Sequence, residues 1–249
     1  MKAQRRNARG WLHRGLDLLA WPFSRRRLRP GELIDTALQR TGLRDFGPEG
    51  PHEQALGVLC EALEHEAALS PLGRLLARQT LVSALDVQLK LTAALNARPA
   101  LLDVPIERPF VVIGMPRTGT TILHELLALD PANRCPLSWE VAKPFPDADT
   151  RDAKAADPRI AATAREFAFS ERLMPGLQSM HRIGATLPQE CVGITAFAFS
   201  SMQYPTIWRV PSYQRWLQRD CEHGPVYAFH RRFLQYLQGG RAGLRWVLK

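Results

Sequence analysis

The strongest constraint on the fold of this chain is an apolar run that leads into a glycine-bounded loop and then into a helix-forming segment. Residues 110–113 are apolar and rich in β-formers, which predicts a buried strand. Gly114 and Gly119 bracket the loop, and the amphipathic run over residues 119–129 predicts a helix that stops at Asp130-Pro131. Such loops turn backbone N–H groups inward beside the positive end of the helix dipole. The stretch therefore predicts an anion site suited to a nucleotide phosphate.

The side chains of the loop narrow the choice of anion. A nucleoside-triphosphatase loop has the pattern G-x-x-x-x-G-K-[ST], in which the lysine reaches the β- and γ-phosphates. Here the glycine spacing is kept, but Thr120 stands at the lysine position and Arg117 is the cation of the loop. The Arg117 fork and the hydroxyls of Thr118, Thr120 and Thr121 suit one phosphate plus a neighbouring oxyanion. The alternative is a glycine-rich turn that only joins strand to helix.

Residues 116–121, PRTGTT, resemble the 5′-phosphosulfate loop of the sulfotransferases that use 3′-phosphoadenylyl sulfate. Tyrosylprotein sulfotransferases share the P-R-[ST]-G-T-T core, and bacterial members with a helical N-terminal extension are close look-alikes. The resemblance extends more loosely from Pro30 to the end of the sequence. It implies transfer of a sulfuryl group from 3′-phosphoadenylyl sulfate to a hydroxyl or amine, without a metal. The residues that it implies for donor binding are Arg117, Thr118, Gly119, Thr120 and Thr121.

The same resemblance implies two candidates for the catalytic base. An acceptor hydroxyl is a poor nucleophile at neutral pH and needs a base within hydrogen-bond reach. In tyrosylprotein and glycan sulfotransferases this base is a glutamate shortly after the loop, a position that Glu140 matches. In cytosolic sulfotransferases it is a histidine further along the chain, a position that His181 matches. The choice between Glu140 and His181 stays open at this point.

The acceptor site is less sharply defined by the sequence. We expect Trp139 and Glu190 to contact the acceptor, with Trp139 directly before the candidate base. Large apolar and aromatic side chains are frequent over residues 192–221, which suits a small-molecule or lipid-like acceptor. The same composition is also that of an ordinary hydrophobic core.

The N-terminal segment carries the basic charge of the chain. Residues 1–30 contain nine Lys and Arg residues and one acid, Asp17, whereas the remainder has 24 basic and 23 acidic residues. Trp11, Trp21 and several leucines lie between the basic clusters, so the segment could associate with an anionic membrane surface. The alternatives are a solvated tail or a helix that packs on the body. The nearly neutral remainder argues against a nucleic-acid partner.

Cysteine usage and hydropathy indicate a cytoplasmic protein. Four scattered cysteines form no C-x-x-C pair and read as reduced, buried thiols rather than zinc ligands or disulfides. No run approaches the roughly 18 apolar residues of a membrane span. The sequence therefore predicts a cytoplasmic location, with peripheral membrane contact through residues 1–30 as the open addition.

The chain as a whole predicts an α/β fold with a P-loop-like parallel sheet, flanking helices and a helical N-terminal extension. We divide it into a basic tail (1–30), a helical extension (31–103) that packs on the sheet domain or on a second copy in a homodimer, and a sulfotransferase domain (104–249). Residues 244–249 predict a second parallel strand. The resemblance places the 3′-phosphate and adenine contacts later in the fold, so we expect an incomplete domain with weak or absent activity.

Two alternatives to a sulfotransferase remain open. One is a P-loop kinase or another nucleotide-binding protein, which would use Mg²⁺ and an acid at a neighbouring strand end. The other is a non-catalytic, truncated module for membrane-surface binding or dimerisation. Adenosine 3′,5′-bisphosphate and ATP discriminate between the first alternative and a sulfotransferase, because only the latter is expected to prefer the bisphosphate.

Overall fold

The computed structural model describes residues 15, 17–22, 26–115, 118–146, 157–173, 176, 182–241, 243 and 245–249. They form two compact units, Met1–Ala93 with Thr195–Val226, and Ala94–Ile194 with Tyr227–Lys249, which we call the helical unit and the sheet unit. The helical unit is discontinuous, because a segment late in the chain returns to it. This division differs from the sequence-based boundary at residue 103.

Within the described residues, the helices and strands form an α-rich series with three short strands. The helices are α1 Pro30–Thr41, α2 Glu53–His65, α3 Pro71–Ala97, α4 Thr120–Leu127, α5 Ser138–Ala142, α6 Pro158–Leu173, α7 Cys191–Thr195, α8 Gln203–Ile207, α9 Pro211–Arg219 and α10 His223–Gln238. The strands are β1 Phe110–Val111, β2 Asn133–Arg134 and β3 Arg245–Leu248. Two 3₁₀ turns, Pro99–Leu101 and Ala196–Ala198, also lie in the described part of the chain.

The core of the helical unit is built from leucines of α2 and α3. Leu56 and Leu63 of α2 and Leu81 and Leu85 of α3 are fully buried there. Helix α1 begins with a proline in its first turn and ends at Gly42, whose left-handed conformation (φ 70°) terminates the helix. The predicted helical N-terminal extension agrees with α1, α2 and α3, which lie within residues 30–97.

The aromatic residues after residue 192 belong largely to this core. Phe199, Tyr204 and Tyr213 are fully buried in it. The Tyr213 hydroxyl donates to the Phe199 carbonyl (2.8 Å), and the Tyr204 hydroxyl donates to the Ala196 carbonyl (2.7 Å). These side chains therefore pack the helical unit, as the core interpretation of the sequence predicts.

The sheet is parallel, and its last strand in sequence lies in the middle. The strand order is β1-β3-β2, with Phe110 opposite Val247 and Arg134 opposite Trp246. The prediction of a strand over residues 244–249 agrees with β3. Strand β2 is absent from the sequence-based prediction, because the two polar residues Asn133 and Arg134 carry no strand pattern.

The prediction of a buried strand over residues 110–113 is wrong for most of these residues. Phe110 and Val111 are about half exposed and Ile113 is 88% exposed, whereas Val112 is buried against Cys135 and Val247. The reason is position: β1 is an edge strand that pairs with β3 on one side in the described sheet. A run of apolar residues indicates a strand, but it does not say how many neighbours the strand has.

Candidate functional site

The loop after β1 leads into α4 as the sequence predicts. Gly119 adopts the left-handed conformation (φ 88°) directly before Thr120, the first residue of α4. A Cβ atom on Gly114 would approach the Thr120 Cγ2 atom to 2.7 Å, so glycine leaves room for this threonine. The Thr118 hydroxyl donates to the Met115 carbonyl (2.6 Å) and closes the turn. Pro116 and Arg117 lie outside the described residues, so the predicted role of Arg117 stays a prediction.

A lysine from the far end of the chain reaches the start of α4. Lys249 directly follows β3, and its Nζ atom donates to the Thr121 hydroxyl oxygen (2.7 Å) and to the Glu190 Oε1 atom (2.6 Å). The Lys249 side chain is 14% exposed and that of Glu190 is 26% exposed. Thus an ammonium group absent from the loop sequence is supplied by β3, at the same edge of the sheet as the loop.

Lys249 is absent from the donor-binding residues predicted from the sequence. The signal that could have found it is topological: the carboxyl ends of parallel strands meet at one edge of a sheet. Residues 110–113 and 244–249 are both predicted as parallel strands, so the last residue of the second strand is expected beside the loop after the first. Lys249 is that residue.

Backbone hydrogen bonds hold Glu190 in place beside Lys249. The Cys191 N–H donates to the Lys249 carbonyl (2.7 Å), and the Gln189 N–H donates to the Pro136 carbonyl (2.7 Å). The segment around Glu190 is therefore tied both to the end of β3 and to the chain before α5. Of the two residues predicted to contact the acceptor molecule, Glu190 is the one that lies near the loop, through its contact with Lys249.

The carboxylate of Glu140 faces other partners. Its Oε1 atom accepts from Arg134 Nη2 (2.8 Å), and its Oε2 atom accepts from the Leu137 N–H (3.0 Å). Both side chains of this ion pair are only 14% exposed, and the Arg134 guanidinium also lies 4.8 Å from the centre of the Trp246 ring. Burial lowers the pKa of Arg134, and the charge of Glu140 opposes that shift. These contacts link β2, β3 and the start of α5.

Trp139 lies beneath a second arginine. The Arg159 guanidinium carbon is 4.5 Å from the centre of the Trp139 ring, and Arg159 donates to the Lys143 and Pro144 carbonyls (both 3.0 Å). Asp157 pairs with Arg159 (2.7 Å), and the hydrogen bonds from this arginine lower the pKa of the Asp157 carboxyl. Trp139 thus has a cation over one face, and its predicted contact with an acceptor stays a prediction.

A buried histidine joins α4 to the central strand. His124 is almost fully buried, and its Nε2 atom lies 3.2 Å from the Val247 carbonyl oxygen. Burial lowers the pKa of His124, so the neutral ring donates its Nε2 proton to that carbonyl. The contact fixes the helix that begins at the predicted anion site onto the strand that precedes Lys249.

His181 lies outside the described residues, so its role as a base stays a prediction. Among the residues that the structure describes, no group of His, Cys, Asp and Glu side chains could hold a metal ion. The part of the chain that is described also has no helix with the length and apolar content of a membrane span.

These features define a class: a helix-rich α/β protein whose small parallel sheet presents a loop, a helix N-terminus and a lysine at one edge. The sequence model of the sulfotransferase family matches residues 109–237, which is more than half of the chain. The chain belongs to the sulfotransferase family. No curated protein sequence matches it.

Two solved structures are similar to the chain over most of its length. Sulfotransferase STF1 from Mycobacterium tuberculosis H37Rv is 35% identical, and the match covers 90% of this chain and 62% of that one, with a TM-score of 0.76. Sulfotransferase STF9 from Mycobacterium avium is 28% identical, and the match covers 88% and 56% of the two chains, with a TM-score of 0.73. The present chain thus spans about three fifths of the length of these sulfotransferases.

Proposed function

We propose that this chain contributes the 5′-phosphosulfate site of an enzyme that transfers a sulfuryl group from 3′-phosphoadenylyl sulfate to a hydroxyl or amine. The observation that carries the proposal is the contact of Lys249 with Thr121 at the N-terminus of α4. It joins a full positive charge, a hydroxyl and the positive end of a helix dipole at one place. Membership of the sulfotransferase family supports the same activity.

The proposed site suits the charge that develops during transfer. As the bond between sulfur and the bridging oxygen breaks, negative charge grows on the leaving 5′-phosphate. In the proposed complex, Lys249, Arg117 and the N–H groups at the start of α4 offset that charge. The hydroxyls of Thr120 and Thr121 donate to the same oxygens. These groups need no metal ion to do so.

The proposal includes a role for the carboxylate beside Lys249. When the donor binds, its anionic oxygens replace the Glu190 carboxylate as partner of Lys249, and Glu190 becomes able to accept a proton from the acceptor. The acceptor oxygen then bonds to sulfur, its proton goes to the base, and adenosine 3′,5′-bisphosphate leaves. Glu140 and His181 remain the other candidates for this base. To act as the base, Glu140 would first have to leave its ion pair with Arg134.

Isothermal titration calorimetry tests the donor site without requiring turnover. We expect the chain to bind adenosine 3′,5′-bisphosphate more tightly than ATP, and the substitution Lys249→Met to weaken that binding about tenfold or more, because a charge-assisted hydrogen bond is lost. Lys143→Met is the matched control, since Lys143 pairs with Glu166 and loses the same charge. Tighter binding of ATP would overturn the proposal in favour of a P-loop kinase or hydrolase.

The acceptor is proposed only as a class. A small or lipid-like molecule with a hydroxyl or amine fits the chemistry, and Trp139 and Glu190 are the residues that we propose to contact it. Product formation from radiolabelled donor, with simple phenols, sterols and amines compared as acceptors, tests this part separately from donor binding.

A further inference from the structure

A short helical segment near the N-terminus is attached to the helical unit by polar contacts. Residues 17–22 are helical, and the Asp17 Oδ1 atom accepts from the Ser70 hydroxyl (2.9 Å) and from the Leu72 N–H (3.0 Å). Asp17 thereby caps the start of α3 from outside that helix. Ala20, three residues later and on the same face, is buried.

A second attachment follows a few residues further along. Leu28 is buried in the core of the helical unit, and its N–H donates to the Glu64 Oε1 atom (2.7 Å). The chain is thus attached both before and after the stretch that carries Arg26 and Arg27. These attachments determine which side chains of the segment face the body of the protein.

The remaining side chains of the helical segment face solvent although they are apolar. Leu18 is 74% exposed, Leu19 75% and Trp21 56%. Arg26 and Arg27, which follow them, are also exposed. We call these five exposed residues, Leu18, Leu19, Trp21, Arg26 and Arg27, the N-terminal patch.

Counted along the sequence, the charge of the N-terminal segment is strongly one-sided. Residues 1–30 hold nine basic residues and one acid. That acid, Asp17, is engaged with Ser70 and with the start of α3. The patch therefore combines exposed apolar groups with exposed arginines in a strongly basic segment of the sequence, which is the combination that binds the interface of an anionic bilayer.

We propose that the N-terminal patch is a membrane-surface site that places the helical segment in the plane of an anionic lipid bilayer. Leu18, Leu19 and Trp21 enter the boundary between head groups and acyl chains, and Arg26 and Arg27 contact lipid phosphates. A second copy of this chain is a poorer occupant, because two strongly basic segments would repel each other. The inference stands independently of sulfuryl transfer.

Sedimentation with lipid vesicles tests the proposal on the full chain. We expect the protein to sediment with vesicles of phosphatidylcholine mixed with phosphatidylserine at low salt, and to sediment far less with phosphatidylcholine alone or at high salt. Reversing two charges (Arg26→Glu with Arg27→Glu) should lower the partition coefficient at least about tenfold, since two attractive contacts with the anionic surface become repulsive.

The apolar part of the patch needs its own variant and control. The triple substitution Leu18→Ser, Leu19→Ser, Trp21→Ser should also lower the partition coefficient about tenfold or more, since apolar burial in the interface is lost. Leu76→Ser, at another half-exposed leucine, is the control and should bind as the unchanged chain does. Circular dichroism spectra and thermal midpoints establish that each variant is folded.

Three outcomes would overturn the proposal. The first is no sedimentation of the unchanged chain with anionic vesicles at low salt. The second is a triple serine variant that sediments as well as the unchanged chain, which would leave only a diffuse charge attraction. The third is a concentration-dependent dimer in light scattering that the triple variant loses, which would make the patch a contact between copies.

Discussion

One ammonium group, that of Lys249, serves two partners in this structure. It donates to the Thr121 hydroxyl and pairs with the Glu190 carboxylate while being 14% exposed. A cation that is largely withdrawn from water needs a counter-ion, and Glu190 supplies one within the protein. Any donor anion that binds Lys249 must therefore compete with that carboxylate.

This competition can be measured at the level of a single residue. We expect Glu190→Gln to raise the affinity for adenosine 3′,5′-bisphosphate by about three- to tenfold, because the competing charge is removed while the side chain keeps its shape. Glu125→Gln is the matched control: Glu125 lies in α4 and pairs with Arg182 instead. Weaker binding by Glu190→Gln in calorimetry would mean that Glu190 only positions Lys249.

Glu140 is expected to behave differently from Glu190. Because Glu140 is the partner of the largely buried Arg134, Glu140→Gln should lower the free energy of unfolding by about 1–3 kcal/mol. Glu166→Gln, which affects a more exposed pair with Lys143, should change it by less than about 1 kcal/mol. Urea denaturation measures both losses in the free energy of unfolding. Equal losses would show that the Arg134–Glu140 pair stabilises the fold no more than the exposed Lys143–Glu166 pair does.

Among the elements, α10 carries a buried histidine that makes the stability of the sheet unit depend on pH. Burial lowers the pKa of His230 to about 4, whereas an unfolded histidine titrates near 6.5. The unfolded chain therefore binds a proton that the folded chain excludes, and stability falls as the pH drops from 6.5 towards 4.

The size and origin of this pH effect can be tested by substitution. Between pH 7 and pH 5 His230 should account for a loss of about 2 kcal/mol in the free energy of unfolding. The variant His230→Leu should show a flatter pH dependence, whereas His65→Gln, at an exposed position in α2, should keep that of the unchanged chain. A slope identical in all three proteins would remove His230 as its source.

Some helices and strands of this protein can be predicted from local sequence signals, and others cannot. Helices α1, α3 and α4 and strand β3 follow from prolines, glycines and apolar periodicity, which are local signals. Strand β2 is not local in that sense: Asn133 and Arg134 become a strand because Arg245 and Trp246 lie beside them. The same holds for Lys249, because its contact with Thr121 joins two residues that are far apart in the sequence.

At the scale of the whole molecule, the least predictable feature is the discontinuous helical unit. Residues 195–226 join helices that precede the sheet unit in sequence, where their buried aromatics complete a core begun by α2 and α3. Composition alone suited these aromatics equally to an acceptor site, and only their burial distinguishes the two. Linkers rich in proline or glycine mark boundaries between consecutive domains, but not a return of the chain.

The central position of β3 has a further consequence for how the protein reaches its native state. Strands β1 and β2 are synthesised long before β3, yet in the described sheet they are joined to each other through β3 alone. Closing that long stretch of chain costs entropy before any sheet contact is gained, which slows folding. A nucleotide that bridges Thr121 and Lys249 would bind only the closed state. Ligand binding and sheet closure would then be one coupled equilibrium, so the bound nucleotide would stabilise the closed sheet against unfolding.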